Sequence, residues 1–113
     1  MVIGRELLEK TVCALEEGGE CAAFSSGMAA AHAIFLTLLQ PGDTVLIADN
    51  IYSGVTSMIR SSFSRWGIRS ISADFSDVCA VRSVFEEEKG KIRFMWAEVI
   101  SNPMLKVADI EVF

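Results

Sequence analysis

The run Thr44-Val45-Leu46-Ile47-Ala48, entered through Pro41-Gly42-Asp43 and left through Asp49-Asn50, decides the fold class. Five residues without a charge, bounded by turn chemistry on both sides, read as a strand buried on both faces. Such a strand belongs in the middle of a parallel sheet. Working outward, helical and strand patterns alternate along the whole chain. Leu8, Val12 and Leu15 recur at helical spacing between Arg5 and Glu17, and Gly18-Gly19 is expected to end that helix. Cys21 to Phe24 reads as a short buried strand. From Met28 to Leu39 nearly every residue is apolar, which predicts a helix buried on most sides, with His32 a structural histidine inside it.

After the TVLIA run, Val55, Met58, Ile59, Phe63 and Trp66 share a helical face, and Gly67 stops that helix. Ile68 to Ala73 is a weaker strand. Ser76 or Asp77 caps a helix carrying Val78, Val81, Val84 and Phe85, whose Glu86-Glu87-Glu88-Lys89 end reads as solvated. Ile92 to Val99 is a further strand, Asn102-Pro103 a turn, and Asp109 the cap of another helix. The alternation argues for an α/β fold with a mainly parallel sheet, organised as one domain over residues 1–113.

The bulk numbers bound the function. The chain has 113 residues, 10 Lys plus Arg against 15 Asp plus Glu, and a net charge of −5. An acidic chain without a basic cluster is not built for nucleic acid or an anionic membrane. No apolar run reaches the roughly 20 residues of a membrane helix. The N-terminal residues show no signal-peptide pattern, so a cytoplasmic protein is expected. Cys13, Cys21 and Cys79 form no CxxC and no Cys/His pair, which predicts reduced core thiols and no metal site.

Ligands of open α/β sheets bind outside the carboxyl ends of the strands. Three loops leave strands there: Ser25–Met28, Asp49–Gly54 and Glu98–Asn102, expected to gather on one edge. In the first, Gly27 admits close backbone approach. The N–H groups of Gly27 and Met28 open a helix and favour an anion, and Ser25 and Ser26 add hydroxyls. The same residues also suit a plain N-cap. The chain has neither GxGxxG nor GxxxxGK[ST]. In the second loop, Tyr52, the single tyrosine, suits either stacking on a planar ring or an ordinary half-buried position. In the third, Asn102 suits either an amide donor to a ligand oxygen or simple turn chemistry.

The order of four segments is more specific than any one of them: LEKTVCALEEGG, AAFSSGMAAAHA, LLQPGDTVLIADNIYSG and WAEVISNPMLKVADI. Together they resemble the Cys/Met-metabolism, or trans-sulfuration, family of pyridoxal-phosphate enzymes from about Arg5 to Ile110. This family includes cystathionine γ-synthases, cystathionine lyases, methionine γ-lyases and O-acylhomoserine sulfhydrylases. The resemblance implies part of a fold type I PLP-dependent transferase-like large domain, with pyridoxal 5′-phosphate as cofactor and an amino-acid substrate. It implies that Ser26, Gly27 and Met28 form the phosphate seat. Tyr52 would stack on the pyridine ring and assist proton transfer. Asn102 would bond the phenolic oxygen or the substrate carboxylate region, and Glu98 would support its strand end. A homo-oligomer is also implied.

The chain departs from the family in two motifs. It has Tyr52-Ser53-Gly54-Val55 where the family reads Tyr-Gly-Gly-Thr, and Glu98-Val99-Ile100-Ser101-Asn102-Pro103 where the family reads Glu-Ser/Thr-Pro-x-Asn-Pro. The family's Tyr-x-Arg arm, pyridinium-pairing Asp, phosphate-binding Ser/Thr and Schiff-base Lys have no counterpart. Lys10, Lys89, Lys91 and Lys106 all lack the Ser-x-x-Lys setting. The expectation is therefore a domain partial at both ends, not catalytically competent alone. Its alternatives are a non-catalytic phosphate-binding or oligomer-partner module, or a gene fragment without function. An uncovered sheet face would favour self-association.

Overall fold

The computed structural model describes residues 2–98, which divide into two units between Phe35 and Leu36. The expectations for Asn102-Pro103 and the Asp109 helix lie outside the described residues, and the strand expected over Ile92 to Val99 is shorter than that, ending at Trp96 with Ala97 and Glu98 already outside it.

In the first unit, α1 spans Val2–Leu15. The predicted helix is present, but its end is not made by glycine. Gly18 N–H donates to the Cys13 carbonyl at 2.9 Å and Glu17 N–H to Ala14 at 3.3 Å, the paired bonds of a Schellman motif. The left-handed residue is Glu17, at φ 53°. A side chain there costs about 1 kcal/mol. Glu17→Gly is expected to raise stability by up to about 1 kcal/mol in denaturant melts. An unchanged or lowered midpoint would show that the turn is not strained.

Ile3, Leu7, Leu8, Val12 and Leu15 of α1 are all exposed, Ile3 and Leu15 by more than 70%. The helical spacing is correct, yet this stripe is open surface in the unit. Cys21–Phe24 is not a strand, which corrects the expectation. Its backbone meets a side chain instead, with Ala23 N–H donating to the Glu9 carboxylate at 3.0 Å. Phe24 is 49% exposed. An apolar run becomes a strand only when another strand accepts its N–H groups, and none among the described residues does.

Helix α2 spans Gly27–Leu38 and begins in the first unit. It is not buried on most sides. Ala31 and Phe35, four apart, are buried, whereas His32, Ile34, Leu36 and Leu38 are exposed. His32 is therefore not a core histidine; its Nδ1 lies 2.8 Å from the Met28 carbonyl one turn back.

The second unit holds the sheet. β1 (Thr44–Ala48) is buried along its whole length, as the TVLIA run requires. It lies between β2 (Arg69–Ala73) and β3 (Ile92–Trp96) in the order β2-β1-β3, parallel to both. Leu46 sits opposite Ile71 on one side and Met95 on the other. Entry into β1 is a turn with Pro41 and Gly42 at its centre, closed by Asp43 N–H donating to the Gln40 carbonyl at 3.0 Å. Gly42 takes φ 97°, as the third position of a type II turn demands.

Between β1 and β2, α3 (Ser53–Ser57) runs into a π-helical segment over Met58–Phe63. The wider turn helps Met58, Ile59 and Phe63 to be buried together, and Trp66 packs edge-on against Phe63 with ring centroids 5.9 Å apart. Gly67, at φ 86°, then ends the helix as expected. α4 (Val78–Glu87) is capped by Asp77, whose carboxylate accepts Cys79 N–H at 3.0 Å and Ala80 N–H at 3.2 Å. Cys79 is exposed, and Cys13 and Cys21 are half-buried. All three thiols are free, but they are not core residues.

Glu88, expected to be merely solvated, accepts two bonds of 2.8 Å from the Arg69 guanidinium. That pair joins the start of β2 to the end of α4. The guanidinium hydrogen bonds hold the Glu88 carboxyl below its ordinary range. A depressed carboxylate contributes stability that is present above its unfolded pKa and is lost as pH falls through its folded pKa. Arg69→Met should therefore melt below the parent chain at neutral pH, with the two melting temperatures converging in acid. A constant offset down to acid pH would assign the loss to packing instead.

Candidate functional site

Two groups of sequence-predicted residues are described, one in each unit. In the first unit, Ser26 ends the bend ahead of α2. Its hydroxyl oxygen accepts Ala29 N–H at 3.0 Å, and its carbonyl accepts Ala30 N–H at 3.1 Å. Ser26 is thus a true N-cap. Because Ser26 engages Ala29 and Ala30, the N–H groups of Gly27 and Met28 precede the first intrahelical bond and have no acceptor within the helix. Gly27 is exposed, and a Cβ built on it would meet nothing within 4 Å. Its φ is not positive, so the helix does not require glycine here. Open space, two helix-start donors and the positive end of the helix dipole form a donor set that fits a phosphate. The capping and anion-seat readings of this stretch are compatible, since they use different N–H groups. A cavity of about 420 Å³ in the same unit, lined by Glu6, Glu9, Lys10, Cys13 and Cys21 among others, includes none of Ser26, Gly27 or Met28.

In the second unit, Tyr52 follows buried Ile51 at the carboxyl end of β1. Its carbonyl accepts Val55 N–H at 3.0 Å and Thr56 N–H at 3.3 Å, which starts α3. Its N–H donates to the Glu98 carboxylate at 2.7 Å. The side chain is 49% exposed, so the ring offers a face while the backbone is held. Glu98 lies two residues past β3. The second and third loops of the sequence reading therefore meet at the carboxyl ends of adjacent strands. Asn102 lies outside the described residues. The Tyr52–Glu98 bond joins residues 46 apart and is not legible in the sequence, where Glu98 reads as part of the last strand and only the resemblance gives it a supporting role at that strand end. Among the described residues no group of His, Cys, Asp and Glu could hold a metal ion, and no helix is long and apolar enough to cross a membrane.

Each unit thus carries one feature of an α/β ligand-binding protein: a helix start with unpaired donors in the first, and in the second a half-exposed aromatic at the strand end where such sheets bind ligands. The chain belongs to the family described as Cys/Met metabolism PLP-dependent enzymes, whose profile matches residues 2–113. It is 38% identical over 106 residues to the cystathionine gamma-synthase of Mycobacterium leprae, covering 94% of this chain and 26% of that protein. It is 40% identical over 108 residues to the cystathionine beta-lyase MetC of Bacillus subtilis, covering 95% of this chain and 26% of the relative. Among solved structures, metB from Corynebacterium glutamicum superposes with a TM-score of 0.84 at 37% identity, covering 93% of this chain and 26% of the other. The chain spans about a quarter of the length of the curated relatives it matches. Its fold is thus part of the fold type I arrangement of these PLP-dependent enzymes.

Proposed function

We propose that this chain carries part of the pyridoxal-phosphate site of a trans-sulfuration enzyme, one that makes or breaks C–S bonds in cysteine-, homocysteine- or methionine-type amino acids. The observation that carries the proposal is the division of labour at Ser26: its two oxygens take the Ala29 and Ala30 N–H groups, so the cap does not consume the Gly27 and Met28 N–H groups, and the space beside the Gly27 Cα is open. These two N–H groups hold the cofactor phosphate, assisted by the Ser26 hydroxyl proton. Tyr52 lays its ring on the pyridine face and holds or passes a proton at its phenol oxygen. Asn102 orients the phenolic oxygen or the substrate carboxylate. Bound pyridoxal phosphate supplies the electron sink for this chemistry.

Within these 113 residues none of the four lysines stands in a Ser-x-x-Lys setting, so we assign the chain binding rather than turnover by itself. It is read as one partial cofactor-binding domain in a cytoplasmic homo-oligomer. Titration with pyridoxal phosphate, followed by tryptophan quenching, should give saturable binding that inorganic phosphate displaces. Borohydride reduction that fixes the cofactor on one lysine would overturn the non-covalent reading, and absence of binding would overturn the site.

A second reading, a self-associating partner module, is favoured by one observation: the exposed apolar stripe of α1. Concentration-dependent sedimentation without cofactor binding would select it.

A further inference from the structure

Tyr52 occupies the N-cap of α3, where Ser, Thr, Asp or Asn would ordinarily cap with a side-chain oxygen. Its side chain makes no capping bond, so the phenol is spared for other use. The backbone is held instead. The carbonyl is committed to Val55 and Thr56, Ile51 is buried just before it, and the N–H donates to Glu98 at 2.7 Å. That last bond is charge-assisted and short, the stronger kind of hydrogen bond. It is also the one contact in this set that comes from another strand end. Among the described residues Glu98 forms no ion pair, and its Oε1 accepts this N–H.

The geometry points to Glu98 as the positioning residue of the Tyr52 loop: a carboxylate delivered past β3 grips the Tyr52 amide and so fixes the direction in which the ring leaves the backbone. Without this bond the loop would rest on Ile51 and the first turn of α3 alone, and the ring would sample several orientations. With it, ring and strand end move as one piece, and stacking on a heterocycle requires less ordering at the moment of binding. This inference rests on the assignment of Tyr52 as the stacking residue for its consequence, but not for the bond itself.

The full chain labelled with ¹⁵N-tyrosine tests it, because its one tyrosine gives one amide signal. Glu98→Ala should speed hydrogen exchange at that amide about tenfold. Glu98→Gln, which keeps a neutral carbonyl acceptor, should restore part of the protection. In Glu98→Ala, affinity for pyridoxal phosphate should fall about threefold to tenfold, while affinity for inorganic phosphate stays at the parent value.

Unchanged exchange in Glu98→Ala would overturn the tether. Equal losses for pyridoxal phosphate and inorganic phosphate would overturn the positioning role and mark a general loosening. If the alanine variant unfolds, Glu98→Met, which keeps the side-chain length but removes the acceptor, decides: faster exchange in a folded chain supports the tether, and unchanged exchange overturns it. A parent chain whose tyrosine signal ignores pyridoxal phosphate would defeat the functional reading separately, and the exchange comparison would still judge the bond.

Discussion

Replacing Gly27 with Asp should lower affinity for pyridoxal phosphate by about tenfold to a hundredfold while leaving the chain as stable as before, or more so. The two effects have opposite signs for separate reasons. A Cβ at Gly27 meets no atom within 4 Å, and the backbone there is not left-handed. The substitution therefore introduces no clash, removes a helix-weakening glycine, and sets a carboxylate at the positive end of α2, worth about 0.3–1 kcal/mol. The same carboxylate occupies the space in front of the Gly27 and Met28 N–H groups and repels an incoming phosphate. Losing charge-assisted bonds of about 1.5–3 kcal/mol corresponds to the stated range in affinity. Binding titration and denaturant melts on one preparation check both halves. Lost binding accompanied by lost stability would indicate damage to the fold, and retained binding would remove Gly27 from the phosphate seat.

Leu46→Ala should be the most damaging single truncation considered, at about 2–5 kcal/mol. Leu46 is fully buried at the centre of β1, with strands on both sides. Pairing on both sides holds the β1 backbone in place, so it cannot shift to fill the space, and the lost transfer energy and the cavity cost add. Since domains of this size have only about 5–15 kcal/mol of stability, the loss would take a large share of it, and denaturant melts should show a correspondingly lower midpoint. A cost under about 1 kcal/mol would mean that β1 is not the centre of the core.

What the sequence disclosed follows from where the physics is local. The TVLIA run, the Asp77 cap and the Gly67 stop each depend on a few adjacent residues, and each stands where it was expected. Misreadings arose where a partner decides. Cys21–Phe24 is as apolar as a strand, but its Ala23 N–H found the Glu9 carboxylate. The residues of α2 are apolar all round, yet burial reaches only the Ala31 and Phe35 stripe. The π-helical turn at Met58–Phe63 widens a helix whose residues read as ordinary α-helix. At the candidate site, the Ser26 cap and the helix-start donors were legible from composition and position. The Tyr52–Glu98 bond was not, because it joins two loops that only the sheet brings together.

The strand order also has a consequence for synthesis on the ribosome. Among the described strands β1 is the central one and precedes both its neighbours in the chain, and β3 follows only after roughly forty more residues. At about 5–20 residues per second, several seconds pass with five uncharged residues translated and one flank unpaired. A nascent chain carrying β1 without β3 therefore has an open apolar strand edge, and pauses between Ala48 and Ile92 would lengthen that exposure.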